Sequence, residues 1–163
     1  MTWAAVVILA MVTVQRLGEL WLSNRNTRRL LDQGAVEIGR SHYSLIVGVH
    51  VAWLAALWWW APGQPIIWPL VVLFALLQLA RLWVIATLGP RWTTRIIVLP
   101  GAPLVRAGPY RFVDHPNYVI VALEFAILPL AFGLVAWALF FSLLNAAVLF
   151  VRIRAENRAL GRA

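Results

Sequence analysis

The stretch RAGPYRFVDHPNY, residues 106–118, packs two arginines, an aspartate, a histidine, two tyrosines and two prolines into a chain otherwise dominated by Leu, Val, Ala and Trp. Pro100, Pro103, Pro109 and Pro116, with Gly101 and Gly108, make the block from Leu99 to Tyr118 a rigid, non-helical path. Backbone amides and carbonyls along such a path cannot all pair with one another, so some are free to bind a polar ligand beside a cavity. Asp114, His115 and Asn117 lead straight into an apolar run, and Asn117 is placed to cap the helix that starts there. The ligand expected is polar and partly anionic. The absence of cysteine excludes disulfides, iron–sulfur clusters, thiolate zinc sites and cysteine nucleophiles. His42, His50 and His115 stand far apart with no metal-ligand spacing, so no metal site is expected.

A second group of polar residues lies inside apolar runs, where each ionisable side chain costs about 2.5–3.5 kcal/mol at the centre of a membrane helix. Arg16 and Glu19, three apart, share one helical face and can neutralise each other. Gln78 and Arg81 repeat that spacing. Arg81 has no acidic neighbour in sequence, so it either pairs with Glu19 or Glu124 across helices or faces a polar cavity. Glu124 and Asn145 read as interhelical hydrogen-bonding residues, and His50 as a packing residue. Together Gln78, Arg81, Glu124 and Asn145 outline a polar acceptor pocket within a helix bundle.

The elements that must position these groups follow from composition. The 163 residues are 63% hydrophobic and 12% charged, against roughly 25% charged in soluble domains, so the surrounding solvent is lipid. The fold class expected is an all-α integral membrane protein in a single domain, residues 1–163, with five transmembrane helices. Apolar runs predict spans at about Thr2–Leu22, Tyr43–Trp60, ending at APGQP, and Ile66–Leu88, ending at GP. A polar connector from Gly89 to Asn117 follows. Pro129 and Gly133 divide the last run, Tyr118–Val151, into a helical hairpin. The segment LSNRNTRRLLDQGAVEIGRSHY reads as a loop with one or two helical turns around Thr27–Asp32.

All fourteen basic residues are arginine and the net charge is +8. They flank the spans rather than forming one stripe, which argues against nucleic acid and for topology-setting charge beside membrane lipid. Arginines between spans one and two, between three and four, and in the tail (Arg162 included) place those segments in the cytoplasm and the N-terminus outside. The N-terminal run lacks a basic leader and an A-x-A site and reads as a retained span.

GPYRFVDHPNY, an apolar hairpin and RIRAENRAL together resemble the isoprenylcysteine carboxyl methyltransferase superfamily, whose signature is G-P-Y-x-x-x-R-H-P-x-Y followed by a glutamate motif after the last helix. QRLGELWLSNRNTRRLLDQGAVEIGRSHY, ARLWVIATLGPRWTTRIIVLPGAPLVRAGPYRF and HPNYVIVALEFAILPLAFG are similar to a bacterial branch, the alkylpyrone and phenolic-lipid O-methyltransferases associated with type III polyketide synthases. The resemblance implies a bacterial inner-membrane enzyme that takes S-adenosylmethionine without a dinucleotide-type Gly-rich loop. It places cofactor contacts at Leu104, Val105, Gly108, Pro109, Tyr110, His115, Pro116, Tyr118 and Glu156, with Arg111, Arg152 or Arg154 meeting the cofactor carboxylate. Two positions depart from the pattern: Asp114 replaces the arginine before His-Pro, and Ala155 replaces one of the paired tail glutamates.

Methyl transfer from a sulfonium is an in-line displacement that needs positioning more than a strong base. Arg81 with Gln78 is the expected catalytic pair, orienting an anionic enol, phenol or carboxylate of a lipophilic acceptor. The rivals are isoprenylcysteine carboxyl methylation, phospholipid N-methylation, a nicotinamide-dependent membrane reductase, and a small non-enzymatic membrane subunit.

Overall fold

The computed structural model describes residues 3–161. Thr2, Arg162 and the side chain of His42 lie outside the described residues. Five helices carry the fold: α1 (Trp3–Asp32), α2 (Arg40–Trp60), α3 (Trp68–Leu88), α4 (Pro116–Ala131) and α5 (Val135–Ala159). A short antiparallel ribbon of β1 (Val36–Ile38) and β2 (Ile96–Val98) pairs Val36 with Val98 and Ile38 with Ile96.

Four helical stretches are long and apolar enough to cross a membrane: Trp3–Asp32, Tyr43–Trp60, Trp68–Arg91 and Val135–Ala159. The remaining helix, α4, is apolar but has 16 residues. At 1.5 Å per residue it rises about 24 Å, short of the ~30 Å hydrocarbon layer. Its end is built into the chain. Leu134 N–H donates to Pro129 C=O at 3.0 Å and Gly133 N–H to Leu130 C=O at 2.9 Å, the paired bonds that close a helix at a left-handed glycine. Gly133 takes φ +68°, which a Cβ would disfavour. Ile67 N–H donates to Ala131 C=O at 2.8 Å, holding the start of α3 level with the end of α4.

The apolar core draws on all five helices, with Phe74 as the buried contribution of α3. Phe125 of α4 is its centre, stacked on Trp53 at 4.6 Å and met edge-on by His50 at 4.8 Å. His50 Nδ1 is within 2.9 Å of Ile46 C=O, as expected of a packing histidine. Large apolar side chains such as Trp21, Leu76, Leu79, Trp83 and Leu143 point outward. In lipid that exposure is no penalty, so helix association depends on close packing and polar contacts rather than on burial from water.

Two expectations are corrected. The loop after span one is not a loop: α1 continues unbroken through Ser23, Asn26 and Thr27 to Asp32. Ser23 and Asn26 are buried because they grip the connector, and Thr27 is buried beside them. Asn26 Nδ2 donates to the carbonyls of Gly89 (3.2 Å) and Trp92 (2.8 Å), and Ser23 Oγ accepts from Thr94 N–H at 2.8 Å. The second correction concerns Asn117, which does not cap α4. Pro116 opens the helix, His115 occupies the cap position with no side-chain cap bond, and Asn117 lies inside the first turn. Proline suits that first position because its φ is preset and it has no N–H to satisfy.

Candidate functional site

Two polar clusters emerge, and they are separate. The deeper one joins α1, α3 and α4. Arg81 donates Nε to Glu19 at 2.7 Å and Nη1 to Glu124 at 2.9 Å. Arg16 donates to the same two carboxylates at 2.9 and 2.7 Å. Gln78 Nε2 donates to Glu124 at 2.9 Å, and Gln15 Nε2 donates to Gln78 Oε1 at 2.8 Å. Two cations thus face two anions, a balanced set that tolerates burial because every charge is paired and hydrogen-bonded. The two glutamates that Arg81 could have chosen between are both its partners. Asn145 of α5 is buried (2% exposed), with its Nδ2 unpaired.

The second cluster lines an open cleft of about 210 Å³ at one end of the bundle. The helix α4 starts there because Pro116 ends the irregular path, and this puts Tyr118 against the last turns of α5 on one cleft wall. Arg152 of α5 donates Nε to the Tyr118 hydroxyl at 2.7 Å, and that hydroxyl donates to Glu156. Arg152 Nη2 donates to Thr94 C=O at 2.7 Å. His115 Nε2 is held 2.9 Å from Asn157 Oδ1, which leaves Nδ1 3.9 Å from Glu156. Burial, reinforced by the Glu156 charge, pushes the Tyr110 hydroxyl up to about 12, so it remains a neutral donor near pH 7. Leu104, Val105 and, four residues beyond Glu156, Leu160 add apolar surface to the lining.

Of the cofactor residues expected from the sequence, Leu104, Val105, Tyr110, His115, Tyr118, Arg152 and Glu156 line this cleft. Gly108, Pro109, Arg111 and Pro116 do not; the two prolines are buried in its support and Arg111 is exposed. Gly108 has a steric duty of its own. It takes φ +53°, and a Cβ there would stand 2.5 Å from Thr87 Oγ1 of α3. Gln78, Arg81, Glu124 and Asn145 also stand outside the cleft. Glu124 lies six residues beyond Tyr118 on α4, about 9 Å deeper along the helix axis.

Sequence reading missed Arg95 and Asn117 as cleft residues, and Thr94 as the residue behind the lining that ties Arg152 to the connector. Thr94 is a hub: its hydroxyl meets Ser23 at 2.7 Å and Tyr43 at 3.0 Å while its carbonyl holds Arg152. Arg95 pairs with Glu37 at 2.7 Å and lies over the Tyr43 ring. No local pattern marks them, since their partners are about 50 to 70 residues away in sequence.

The isoprenylcysteine carboxyl methyltransferase (ICMT) family matches residues 70–162, more than half of the chain. The chain belongs to that family. The matched region contains every cleft-lining residue except Leu30. Family membership, with the apolar helices, makes the protein an integral membrane methyltransferase. Among similar proteins, YpbQ of Bacillus subtilis (strain 168), an uncharacterized protein, is 38% identical over 158 residues, covering 94% of both chains. An uncharacterized protein of Haemophilus influenzae is 28% identical over 121 residues, 70% of this chain and 69% of its own. No solved structure matches.

The family's methyl donor suits the donor set of the cleft. Asn117 Oδ1 is buried there without a partner among the described residues, an acceptor that an amine donor would satisfy. The Glu156 carboxylate beside it suits a cation, and the Arg152 guanidinium suits a carboxylate.

Proposed function

We propose that this ICMT-family chain uses S-adenosylmethionine to methylate an oxygen of a lipophilic acceptor, an enol, phenol or carboxylate of the alkylpyrone or alkylresorcinol kind. The supporting observation is the cleft wall on which Arg152, Tyr118 and Glu156 are hydrogen-bonded in series, in a lining that also holds the apolar Leu104, Val105 and Leu160. That lining offers one anion and one cation to an amino-acid moiety, and an apolar face to a flat base.

When bound, the donor supplies a methyl group on a sulfonium, which passes to the acceptor oxygen as the sulfur keeps the bonding pair. The rest falls to the chain. Glu156 and Asn117 hold an ammonium, Arg152 and His115 hold a carboxylate, and Tyr110 donates a hydrogen bond. Val105 and Leu104 cover the base, while Gly108, Pro109 and Pro116 shape the backbone behind them. An acceptor that is already anionic loses no proton in the transfer, which fits a site with no catalytic dyad.

The acceptor enters from the bilayer, polar end toward the cleft. Asn145 Nδ2, buried and unpaired, is the donor we assign to that end. Arg81 and Gln78 act through position, because their donors are held by Glu19, Glu124 and the Phe74 carbonyl. They fix α1, α3 and α4 around the acceptor's path. We further propose five spans, with α4 and α5 as a hairpin whose short first arm is α4. The N-terminus is outside and the cleft opens to the cytoplasm, in a bacterial inner membrane. A type III polyketide synthase is the proposed source of acceptors.

The test incubates purified protein with methyl-labelled S-adenosylmethionine and a panel of alkylpyrones, alkylresorcinols, prenylcysteine and phosphatidylethanolamine. Mass spectrometry then reads the products. Label on an enol, phenol or carboxylate oxygen of the polyketide lipids supports the proposal; label confined to phospholipid nitrogen or to prenylcysteine overturns it.

A further inference from the structure

The connector has an outer edge that the cleft uses only at Leu104. Phe112 is 77% exposed, Val113 46% and Leu104 41%, while Arg106 and Arg111 beside them are exposed as well. These are the large apolar side chains left exposed between β2 and α4, and in a connector facing water they would be left bare. The segment does not hang free. Pro109 is buried, Gly108 is pressed against Thr87 and Trp83, and Arg91 Nη1 donates to Pro103 C=O at 2.6 Å. Trp83 is itself 53% exposed on the outward flank of α3, one turn and a half before that helix ends. The connector is therefore clamped to the lipid-facing side of a membrane helix at its end. Its apolar groups continue that surface, and Arg91, Arg106 and Arg111 outnumber Asp114 among its charges.

We propose that Leu104, Phe112 and Val113, with Arg106 and Arg111, form an interfacial anchor that seats the connector among anionic lipid headgroups. Phe112 and Val113 enter the upper acyl layer, and the two guanidiniums meet lipid phosphates at its edge. Arginine suits that depth because its stem is apolar and its end charged, and the wholly apolar Phe112 and Val113 sit just beneath it. The anchor rests on the membrane character of the chain and on no assumption about the reaction. Leu104 belongs both to this edge and to the cleft rim, so the lipid surface becomes a neighbour of the cleft.

The chain has no cysteine, so single labels can be placed without background. Val113→Cys, which keeps Phe112, and Gln33→Cys as an exposed control would carry an environment-sensitive fluorophore in vesicles of phosphatidylcholine with or without phosphatidylglycerol. Quenching by headgroup-proximal spin-labelled lipid is compared with quenching by iodide in the water. The expected result is that lipid quenches position 113 several-fold more than position 33, and iodide the reverse. Addition of phosphatidylglycerol should deepen the lipid quenching at 113, and Arg106→Gln with Arg111→Gln should abolish that increment. Iodide quenching at 113 equal to the control overturns the anchor, and so does a shielding that vanishes on diluting protein in lipid, which would mark a contact between copies. An unchanged phosphatidylglycerol response in the double variant overturns the role of the arginines.

Discussion

Arg81 and Glu124 face each other across α3 and α4, Nη1 to Oε2 at 2.9 Å, with the arginine 4% and the glutamate 1% exposed. Breaking a buried pair from one side costs about 3–5 kcal/mol, because a charge is left without its counterpart. Arg16 remains bound to both carboxylates, so the loss for Arg81→Gln should be near the lower end, about 3 kcal/mol. Thermal unfolding in detergent should show a clear drop. Neutralising the partner as well, in Arg81→Gln/Glu124→Gln, should recover part of it. A single variant that melts with the parent yet loses turnover would return Arg81 to direct acceptor contact.

Glu156→Gln keeps shape and removes charge. A charge-assisted hydrogen bond contributes about 1.5–3 kcal/mol, so affinity for S-adenosylhomocysteine should fall at least about tenfold while the melting temperature without ligand stays put. Calorimetric titration of both proteins reads the difference. Unchanged affinity would leave the tail as a topology element only.

Tyr118→Phe cuts the series between Arg152 and Glu156 without changing bulk. The guanidinium keeps Thr94 C=O but loses its second anchor. Affinity for S-adenosylhomocysteine should fall by roughly tenfold or less, matching one hydrogen bond of about 0.5–1.5 kcal/mol, and Tyr118→Ala should lose more.

Gly108→Ala places a methyl 2.5 Å from Thr87 Oγ1 at a backbone angle glycine favours. The connector must shift away from α3, so ligand affinity should fall more than overall stability. Adding Thr87→Ala removes the nearest obstacle and should restore part of the affinity but not the backbone strain. Equal affinity in Gly108→Ala and the parent would show that the clamp on α3 does not shape the cleft.

A saturating excess of S-adenosylhomocysteine should raise the melting temperature, with linkage giving about 2.7 kcal/mol at a hundredfold excess over Kd. NADPH should leave it unchanged. The reverse pattern, measured in the same detergent, would replace the methyl-donor assignment with a nicotinamide one.

The spans were legible where apolar runs met hard breakers. APGQP closes α2 at Trp60, and Gly89-Pro90 follows α3 at Leu88. Arg81 was legible as a residue in need of a carboxylate, though sequence spacing could not say that Glu19 and Glu124 both serve it. Helical turns at Thr27–Asp32 were legible, but their continuity with span one was not, because SNRNTRR has no apolar stripe. That stretch is helical because Ser23 and Asn26 are captured by Thr94, Gly89 and Trp92, a tertiary cause that no local window contains. The same holds for β1 and β2, three residues each and some 60 positions apart, whose pairing is set by the helices that carry them. The cleft residues were found through the G-P-Y and H-P-x-Y pattern. Thr94 was not, because its role is expressed by its carbonyl and its partners.

The contacts from Ser23 to Thr94 and from Thr94 to Arg152 also set an order of events during synthesis. The first partner lies in α1, the second in the connector, and the third near the end of α5. As the chain leaves the ribosome, the helices can enter the bilayer one after another, but the wall that carries Arg152 and Glu156 cannot close until nearly all of it has been made. A nascent chain therefore passes through membrane insertion with its cleft open on one side. Any product stopped before α5 would be a helical membrane protein with no competent site.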